Sequence, residues 1–440
     1  MLSGINLLFL KARKRRPRGF FSGVLLRRRA LPGIMAACFS IPCRHTPMPN
    51  SSVSPFARAA TIAAILLILF NPLGIDLYLS AMPAMQRHFQ ADVAISLSVF
   101  IFSLGLGQLL FGPLADRIGR KPVALGGLLL YAAAAFLASR SDSLGGFLGL
   151  RALQGLGASA SSVCAFTLVR DCFSGNAAAQ RYSLLNAALN VVPAMAPLLG
   201  GWLTARWGWQ SCFLALAGSA MLAAAWLAWK MPETRPVVAS ADGGPAISMR
   251  QVLSTQALRR YGACCCAALA LIVSYVTLAP AVLIERGGVD ATTFGLLFGG
   301  NALLVMAASF LGLKLIGRFG QKAMLRYGLN IMLLAGVLLL ALSGQPGAWH
   351  YMLPIGVLSV GFAWTLGPAS GMAMAPFSQA AGRAAALLGC GQMLFAAGVS
   401  AGLAALPLPG EWALGAMVLL LAGLCRWLTR PAAAIRENPH

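Results

Sequence analysis

The chain has 440 residues, of which 58% are hydrophobic and only 10% charged, and its mean hydropathy is +0.76. A water-soluble domain carries about 25% charged residues, so this chain lacks the polar residues that a soluble surface needs. The composition excludes a collagen, a coiled coil, a disulfide scaffold and a soluble enzyme, and it indicates an integral membrane protein.

The net charge of +23 arises from 34 Lys and Arg against 11 Asp and Glu. In a soluble protein this excess would suggest a nucleic-acid partner. Here the basic residues lie in an acid-free first segment, 1–57, and in short connections between apolar runs, without the interleaved aromatic residues of a nucleic-acid surface. We therefore expect no nucleic-acid partner. The cysteines lack metal-ligand spacing, and we interpret them as small buried apolar residues, with no metal site.

Residues 1–57 form a basic tail that includes the tract KARKRRPR at 11–18. This tract follows the first apolar residues instead of preceding them, which argues against a cleaved secretory signal. An Arg-rich, acid-free start is also typical of a mitochondrial transit peptide, but no amphipathic helix accompanies it. We favour a translation start at Met35 or Met48, or simple disorder, and assign this tail no function.

Apolar runs after the tail predict twelve membrane-spanning helices, because each crossing needs about 20 apolar residues. Breaks at charged residues, Pro and Gly place these spans at 60–84, 94–114, 122–139, 145–169, 182–204, 211–230, 259–284, 293–316, 323–343, 350–374, 384–406 and 411–429. The predicted fold class is therefore an all-α membrane protein. We expect a six-helix bundle at 58–231, a linker at 232–258, a second six-helix bundle at 259–430 and a tail at 431–440.

The sidedness of these spans follows from the basic residues of the connections. If the N-terminus is cytoplasmic, the outer connections hold only Arg87, Arg140, Arg206 and Arg286, and the other basic residues of the connections face the cytoplasm. Cytoplasmic loops are enriched in Lys and Arg. Both termini and the linker are therefore predicted to face the cytoplasm.

Two loops indicate an internal repeat. GPLADRIGRKPV at 112–123 follows the second span, and GRFGQKAML at 317–325 follows the eighth. Superposing the two loops matches an Arg, a Gly and a Lys: Arg117 with Arg318, Gly119 with Gly320 and Lys121 with Lys322. A weak repeat at equivalent loops of two six-span halves is typical of a duplicated transporter.

One acid lies clearly within a predicted span, Asp76 in NPLGIDLYLSAMP at 71–83. A carboxylate in the membrane costs about 2.5 kcal/mol or more, so it marks a functional site unless it lies near the helix end and is hydrated there. The one basic residue within a span, Arg151 in LGLRALQGLGASASS at 148–162, is its predicted ion-pair partner. Such a pair could fix the helix packing, or it could let Asp76 exchange a proton as its surroundings alternate.

Small residues and prolines predict where helices approach closely or bend. Close contact is expected at Gly155, Gly157, Ala158, Ser159, Ala160, Gly295 and Gly299. The fifth span carries Asn186 and Asn190, then two prolines four residues apart and a glycine pair: Pro193, Pro197, Gly200 and Gly201. This pattern predicts a loosened helix or an ordinary kink.

The side chains that enzymes need are scarce. The chain has 4 His, and none lies deep in a predicted span, nor does a second carboxylate. A G-x-x-x-x-G-K-[ST] loop for a nucleotide phosphate is also absent from the sequence. We therefore expect no enzyme and no cofactor, with a proton gradient as the energy source.

These motifs resemble the major facilitator superfamily, specifically the twelve-span drug:proton antiporters of the Bcr/CflA type. GPLADRIGRKPV is similar to the family's loop between spans two and three, LGLRALQGLGASASS to its span-four motif, and PAMAPLLGG at 193–201 to its antiporter motif, with Ala196 where a Gly usually precedes the Pro. The D-x-Y-L-x-x-M-P pattern of span one resembles exporters of chloramphenicol, florfenicol and bicyclomycin. The likeness runs from about residue 60 to 430.

The resemblance implies two helix bundles that rock around a central cavity and assigns a role to each motif. Asp76 would bind the proton with Arg151 as its partner, and the fifth-span prolines and glycines would form the antiporter motif. The cavity would be lined by Asp76, Tyr78, Gln154 and Asn190. A latch between the bundles would be formed by Gly112, Asp116, Arg117, Gly119, Arg120 and Lys121.

The implied function is proton-coupled export of amphipathic antibiotics of the phenicol or bicyclomycin type from a bacterial cell. We expect a multi-pass protein of the inner membrane, acting as a monomer, whose partners are the small-molecule substrate, protons and the lipid bilayer. Two alternatives stay open at this point: a transporter of a metabolite such as a nucleoside or sugar, and a membrane enzyme or non-transporting receptor.

Overall fold

The structure is a computed structural model that describes residues 55–173, 175–231, 233–234, 249–345, 347–377 and 381–430. The predictions for the basic tail and for the C-terminal tail fall almost entirely outside these ranges, as does most of the predicted linker.

The described residues form fourteen α-helices, a short 3₁₀ helix and a π-helical turn. In chain order the elements are α1 Pro55–Asp76, the 3₁₀ helix Leu79–Ala81, α2 Met82–Phe89, α3 Ile95–Ile118, α4 Arg120–Ala138, α5 Leu144–Cys172, α6 Gly175–Trp207, α7 Gln210–Lys230, α8 Met249–Ser254, α9 Gln256–Pro280, the π-helical turn Ala281–Arg286, α10 Ala291–Phe319, α11 Gln321–Ala341, α12 Trp349–Met374, α13 Ala381–Ala404 and α14 Gly410–Leu428.

Among the described residues, 11 helices are long and apolar enough to cross a membrane. They are α1 together with α2, α3, α4, α5, α7, α9 with its π-helical turn, and α10 to α14. The predicted span at 182–204 falls within α6, a continuous helix of 33 residues for which some side chains are not described. The structure thus confirms an all-helical membrane protein, while the count of twelve spans and the cytoplasmic position of the termini stay predictions.

Local signals in the sequence place several helix ends. Ser143 precedes α5, and its hydroxyl accepts a hydrogen bond from the Gly146 amide at 3.3 Å. Asp290 caps α10 in the same way, with its carboxylate 3.0 Å from the amides of Thr292 and Thr293. Hydrogen bonds from Thr293, together with the Thr292 amide, lower the pKa of Asp290 below its usual range. These caps satisfy amides that have no partner inside the helix.

Helices within each half of the sequence pack closely. In the first half α5 lies against α1, α3 and α4, and in the second half α9 lies against α12, α13 and α14. The two halves meet along two helix pairs, α3 with α13 and α6 with α10. Movement of the halves as separate bundles stays a prediction.

The residues at these helix contacts are small, whereas large apolar side chains cover the outside. Leu222, Trp229 and Leu313 are 75%, 76% and 68% exposed, as expected for helices whose solvent is lipid. A Cβ at Gly155 would lie 2.4 Å from the carbonyl oxygen of Phe100, so at this point α5 and α3 are in backbone contact. The predicted close approach at small residues is therefore confirmed here.

Candidate functional site

The site is built around the end of α1. Pro72 and Gly74 lie in its last turn, and the helix ends at Asp76, after which the chain turns through the 3₁₀ helix into α2. Asp76 is the last residue of this helix and is only 3% exposed. A carboxyl buried at a helix break inside a membrane protein is a candidate for ion or proton binding.

Asp76 lines a cavity of about 220 Å³ between the two halves of the protein. The first half contributes residues of α1, α3 and α6, and the second half contributes residues of α9, α10 and α12. The polar lining residues are Asn71, Asp76, Tyr275 and Asn301, and the rest of the lining is apolar. Within the described part of the chain, no hydrogen bond or ion pair reaches the Asp76 carboxylate. The cavity therefore offers an apolar space with an unpaired carboxyl on one wall.

The surroundings of Arg151 differ from the prediction. Its guanidinium donates one hydrogen bond of 2.8 Å to the carbonyl oxygen of Gly74 and another of 2.5 Å to Oε1 of Gln154. No ion pair joins it to Asp76 among the residues that the structure describes. The predicted Asp76–Arg151 pair is thus not formed, because the guanidinium binds the backbone of α1 two residues before the carboxyl.

Three aromatic rings complete the environment of Arg151. Its guanidinium carbon lies 4.5 Å from the ring centres of Tyr78 and Phe100 and 5.8 Å from that of Phe213. A cation held over ring faces in a desolvated site gains about 2 kcal/mol from each good contact. Arg151 is completely buried, and these rings and carbonyl groups replace water around its charge.

Two residues predicted to line the cavity lie elsewhere. The Tyr78 hydroxyl shares a hydrogen bond of 3.0 Å with Ser96, and Gln154 binds Arg151, so both belong to the packing of the first half. Asn190 lies in α6, but its side chain is not described. Asn71, Tyr275 and Asn301 were missed by the sequence prediction, although each is a polar residue inside an otherwise apolar span, a signal that could have identified them.

The predicted antiporter motif holds the end of α1 from the other side. α6 continues through Pro193 and Pro197 without a break, and Pro193 lines the cavity. In a regular helix the carbonyl oxygen of Pro197 would accept a hydrogen bond from the amide of Gly201, four residues later. This oxygen accepts a hydrogen bond of 2.8 Å from the Ser80 hydroxyl. A Cβ at Gly200 would lie 1.7 Å from the carbonyl oxygen of Leu77. The motif therefore forms a contact surface for the chain that follows Asp76, within one continuous helix.

A cluster of charged residues lies at the opposite end of the helices of the first half. Arg120 is completely buried, and its guanidinium pairs with Asp116 and Asp171, each at 2.8 Å. The Glu233 carboxylate accepts hydrogen bonds from the backbone amides of Arg120 at 2.9 Å and Lys121 at 3.3 Å. An anion at the first amides of α4 is favoured by the helix dipole.

This cluster shows which groups Arg120 binds in the structure. The partners of its guanidinium are Ala115, Asp116 and Asp171 of the first half, and the partner of its backbone amide is Glu233, just after α7. Among the described residues, none of these partners belongs to the second half. In this conformation Arg120 therefore joins elements of one half, and its latch role stays a prediction. Asp116 is 61% exposed, Arg117 is exposed, and Gly112 has open space around its Cα, so these residues remain available at the surface.

The two repeated loops have the same backbone conformation. Gly119 has φ 105° and ψ 160°, and Gly320 has φ 79° and ψ 160°. Each glycine ends one helix and begins the next, and its amide bonds the carbonyl oxygen four residues earlier, at Ala115 or Ile316. The geometry supports the predicted repeat. Gln321 occupies the place of Arg120 in the second copy, so the charged cluster has no equivalent there.

A second group of ionisable residues, not anticipated from the sequence, lies at the end of the second half that is nearer to Asp76. The Glu411 carboxylate is 3.5 Å from Nε2 of His350 and 3.8 Å from Arg286. Glu411 is 8% exposed and His350 is 9% exposed. The group joins α14, α12 and the π-helical turn, and neither Glu411 nor His350 lines the Asp76 cavity.

The amino-acid sequence matches the family model of the Major Facilitator Superfamily over residues 64–402. The chain belongs to the Major Facilitator Superfamily. It is therefore a membrane transporter, in line with the expectation that it is not an enzyme.

Sequence relatives of this superfamily member include drug-resistance proteins. The chloramphenicol resistance protein of Pseudomonas aeruginosa is 33% identical over 348 residues, which cover 76% of this chain and 81% of that protein. The multidrug resistance protein MdtL of Escherichia coli (strain K12 / DH10B) is 29% identical over 393 residues, 86% of this chain and 98% of that protein.

Solved structures of the superfamily share its fold. A bacterial homologue of the human lysosomal transporter Spinster, in an inward-facing and occupied conformation, aligns with a TM-score of 0.69 at 15% identity, covering 85% of this chain and 97% of that one. The D-xylose–proton symporter aligns with a TM-score of 0.69 at 15% identity, covering 84% of this chain and 97% of that one. At this level of identity the likeness concerns the fold alone.

Proposed function

We propose that this superfamily member is a proton-coupled exporter of amphipathic small molecules, of the Bcr/CflA drug:proton antiporter type, in a bacterial inner membrane. The observation that carries the proposal is the Asp76 carboxyl, which is buried and, within the described ranges, has no hydrogen-bond or ion-pair partner on the wall of an apolar cavity between the two halves. Such a carboxyl can bind a proton when the cavity is open to one side and release it when the cavity is open to the other.

The lining of the cavity favours amphipathic substrates over sugars or nucleosides. A sugar needs hydrogen bonds around its whole ring, whereas the polar side chains among the described lining residues are those of Asn71, Asp76, Tyr275 and Asn301. An apolar lining with a few placed polar groups is typical of sites for drug-like molecules. Similarity to a chloramphenicol resistance protein supports phenicols as the first substrates to test.

A proton gradient would supply enough free energy for such export. Moving one charge through 100 mV yields about 2.3 kcal/mol, which corresponds to an approximately fortyfold gradient of a neutral substrate. One proton per transport cycle therefore supplies enough free energy for useful export. In this proposal the protein acts as a monomer and needs no cofactor. In this proposal both termini face the cytoplasm and the exposed Asp116 and Arg117 meet the second half when the cytoplasmic side closes.

Transport by inverted membrane vesicles tests the proposal. The full-length protein is expressed, the vesicles are energised, and uptake of chloramphenicol, florfenicol and a nucleoside is measured with and without a protonophore. We expect uptake of a phenicol that collapses with the protonophore. Uptake of the nucleoside alone would overturn the drug assignment, and phenicol uptake that persists with the protonophore would overturn the proton coupling.

A further inference from the structure

Two polar residues of the second half lie side by side on the cavity wall. Tyr275 on α9 is 2% exposed and Asn301 on α10 is 9% exposed, and both line the same cavity as Asp76. The Asn301 side chain lies within hydrogen-bonding reach of the Tyr275 hydroxyl, but within the described ranges neither this hydroxyl nor Oδ1 of Asn301 has a hydrogen-bond partner of good geometry. Because buried polar atoms are nearly always hydrogen-bonded, two unpaired atoms on one cavity wall point to a ligand that supplies the missing bonds.

Packing holds the Tyr275 ring in place. It stacks on Phe298 with a distance of 5.6 Å between ring centres and an interplanar angle of 18°, and its other neighbour is Tyr351 at 6.3 Å. The Tyr351 hydroxyl donates a hydrogen bond of 3.4 Å to the carbonyl oxygen of Tyr275. Asn301 lies one helical turn after Phe298 on α10. The Tyr275 ring is thus held by its neighbours before a ligand binds, which lowers the entropic cost of binding.

The chemistry of the two side chains fits a hydroxyl group. A phenol donates one hydrogen bond, and an amide oxygen accepts one. A hydroxyl can accept the bond from Tyr275 and donate to Asn301 at the same time, whereas a halogen or a methyl group would leave the Asn301 oxygen without a partner. The apolar lining beside this subsite accommodates the aromatic part of the same molecule.

We propose that Tyr275 and Asn301 form the specificity subsite of the transporter and bind a terminal hydroxyl of an amphipathic aromatic substrate. This inference rests on the proposed function and deepens it. Asp76 and the hydroxyl subsite lie on walls that belong to different halves. A substrate bound to Tyr275 and Asn301 is therefore held by the second half while the proton site belongs to the first.

The test compares two phenicols that differ at one terminal carbon, where thiamphenicol carries a hydroxyl and florfenicol carries fluorine. Affinities for both are measured by equilibrium dialysis with the purified full-length protein in lipid nanodiscs. The variants are Tyr275→Phe and Asn301→Leu. Tyr261→Phe is the matched control, since it removes the same atom from another tyrosine of α9 that does not line the cavity.

We expect the wild type to bind thiamphenicol about tenfold more tightly than florfenicol, because an unpaired buried acceptor costs about a factor of ten in affinity. Each of the two variants should lose most of this preference, mainly through weaker binding of thiamphenicol. Tyr261→Phe should keep the wild-type ratio. If Tyr275 and Asn301 had a purely structural role, the variants would bind both phenicols more weakly by the same factor. An unchanged ratio of the two affinities would overturn the subsite.

The failure of the subsite can be distinguished from the failure of the proposed function. If the wild type binds both phenicols and transports them in vesicles, but the variants keep the wild-type ratio, only the subsite is wrong. If the wild type binds neither phenicol, the drug-export function and its subsite are overturned together.

Discussion

The Arg151 guanidinium donates a 2.8 Å hydrogen bond to the carbonyl oxygen of Gly74, two residues before the end of α1. Carbonyl groups in the last turn of a helix lack partners within the helix and carry partial negative charge. Arg151 therefore acts as a cationic cap for α1. It positions the backbone from which Asp76 extends, while the Asp76 carboxyl is left to the cavity.

Replacement of Arg151 should separate its positioning role from its charge. Arg151→Ala leaves the Gly74 carbonyl and the Gln154 side chain without a partner in a buried site, at a cost of about 3 kcal/mol. We expect a lower unfolding temperature in detergent and a shifted pH optimum of transport, because the backbone that carries Asp76 moves. Arg151→Lys keeps the charge but not the forked geometry of the guanidinium. Its unfolding temperature and pH optimum should lie between those of the wild type and Arg151→Ala.

Arg140→Ala is the control for the two Arg151 variants. Arg140 is exposed, and the side-chain interaction that it makes among the described residues is with the Phe136 ring. It should leave both the unfolding temperature and the pH profile unchanged. A pH optimum that stays in place in Arg151→Ala would contradict the positioning role.

Asp76→Asn should abolish proton-driven uphill transport while the protein stays folded and inserted. The amide has nearly the shape of the carboxyl but cannot exchange a proton, so only movement down the substrate gradient should continue. The measurement is vesicle uptake with an imposed pH gradient, together with counterflow in its absence. Glu411→Gln makes the same change in a buried carboxyl that does not line the cavity, and should retain proton-driven uptake. Uphill transport by Asp76→Asn would remove Asp76 from the coupling role.

Gly200→Ala should disrupt the contact between α6 and the chain after Asp76. The new Cβ would lie 1.7 Å from the backbone oxygen of Leu77, which cannot move aside as a flexible side chain would. Overpacking of this kind costs about 3 kcal/mol or more. We expect a lower unfolding temperature and reduced transport.

The matched control is Gly218→Ala in α7, where the added Cβ meets open space. Alanine favours a helix over glycine by about 1 kcal/mol, so this variant should be as stable as the wild type or more stable. Equal stability of the two alanine variants would show that α6 and the end of α1 do not touch as described.

Variants of the two acidic partners of Arg120 should differ in how strongly they affect stability and transport. Asp171→Asn removes a partner of the completely buried Arg120, and loss of one member of a buried ion pair costs about 3 kcal/mol. Asp116 also pairs with Arg120 but is 61% exposed, so Asp116→Ala should cost less stability than Asp171→Asn and should in addition slow the transport cycle if Asp116 contacts the second half in another conformation. Unfolding temperatures and vesicle transport rates are measured for both. Normal turnover of Asp116→Ala would contradict its proposed latch role.

The sequence was sufficient for the fold and for part of the site. Apolar runs and their breaks predicted the helices, because lipid imposes length and composition on each span, and Asp76 was identified because a membrane carboxyl is costly. The partner of Arg151 could not be predicted in this way, since a backbone carbonyl carries no signature in the sequence. Tyr275 and Asn301 could have been noticed as polar residues inside apolar spans, but only the packing of α9 and α10 shows that they line the same cavity as Asp76.

The backbone of Gly119 and Gly320 has a consequence for resistance screens. With positive φ and ψ of 160°, both lie in a region of conformational space that only glycine adopts without strain. Every single-nucleotide change that replaces a glycine codon introduces a side chain or stops translation. Random mutagenesis followed by selection for loss of transport should therefore recover substitutions at both codons. It should recover more at Gly119, where a new Cβ would also lie 2.8 Å from the Glu233 carboxylate, than at Gly320, where it would meet open space.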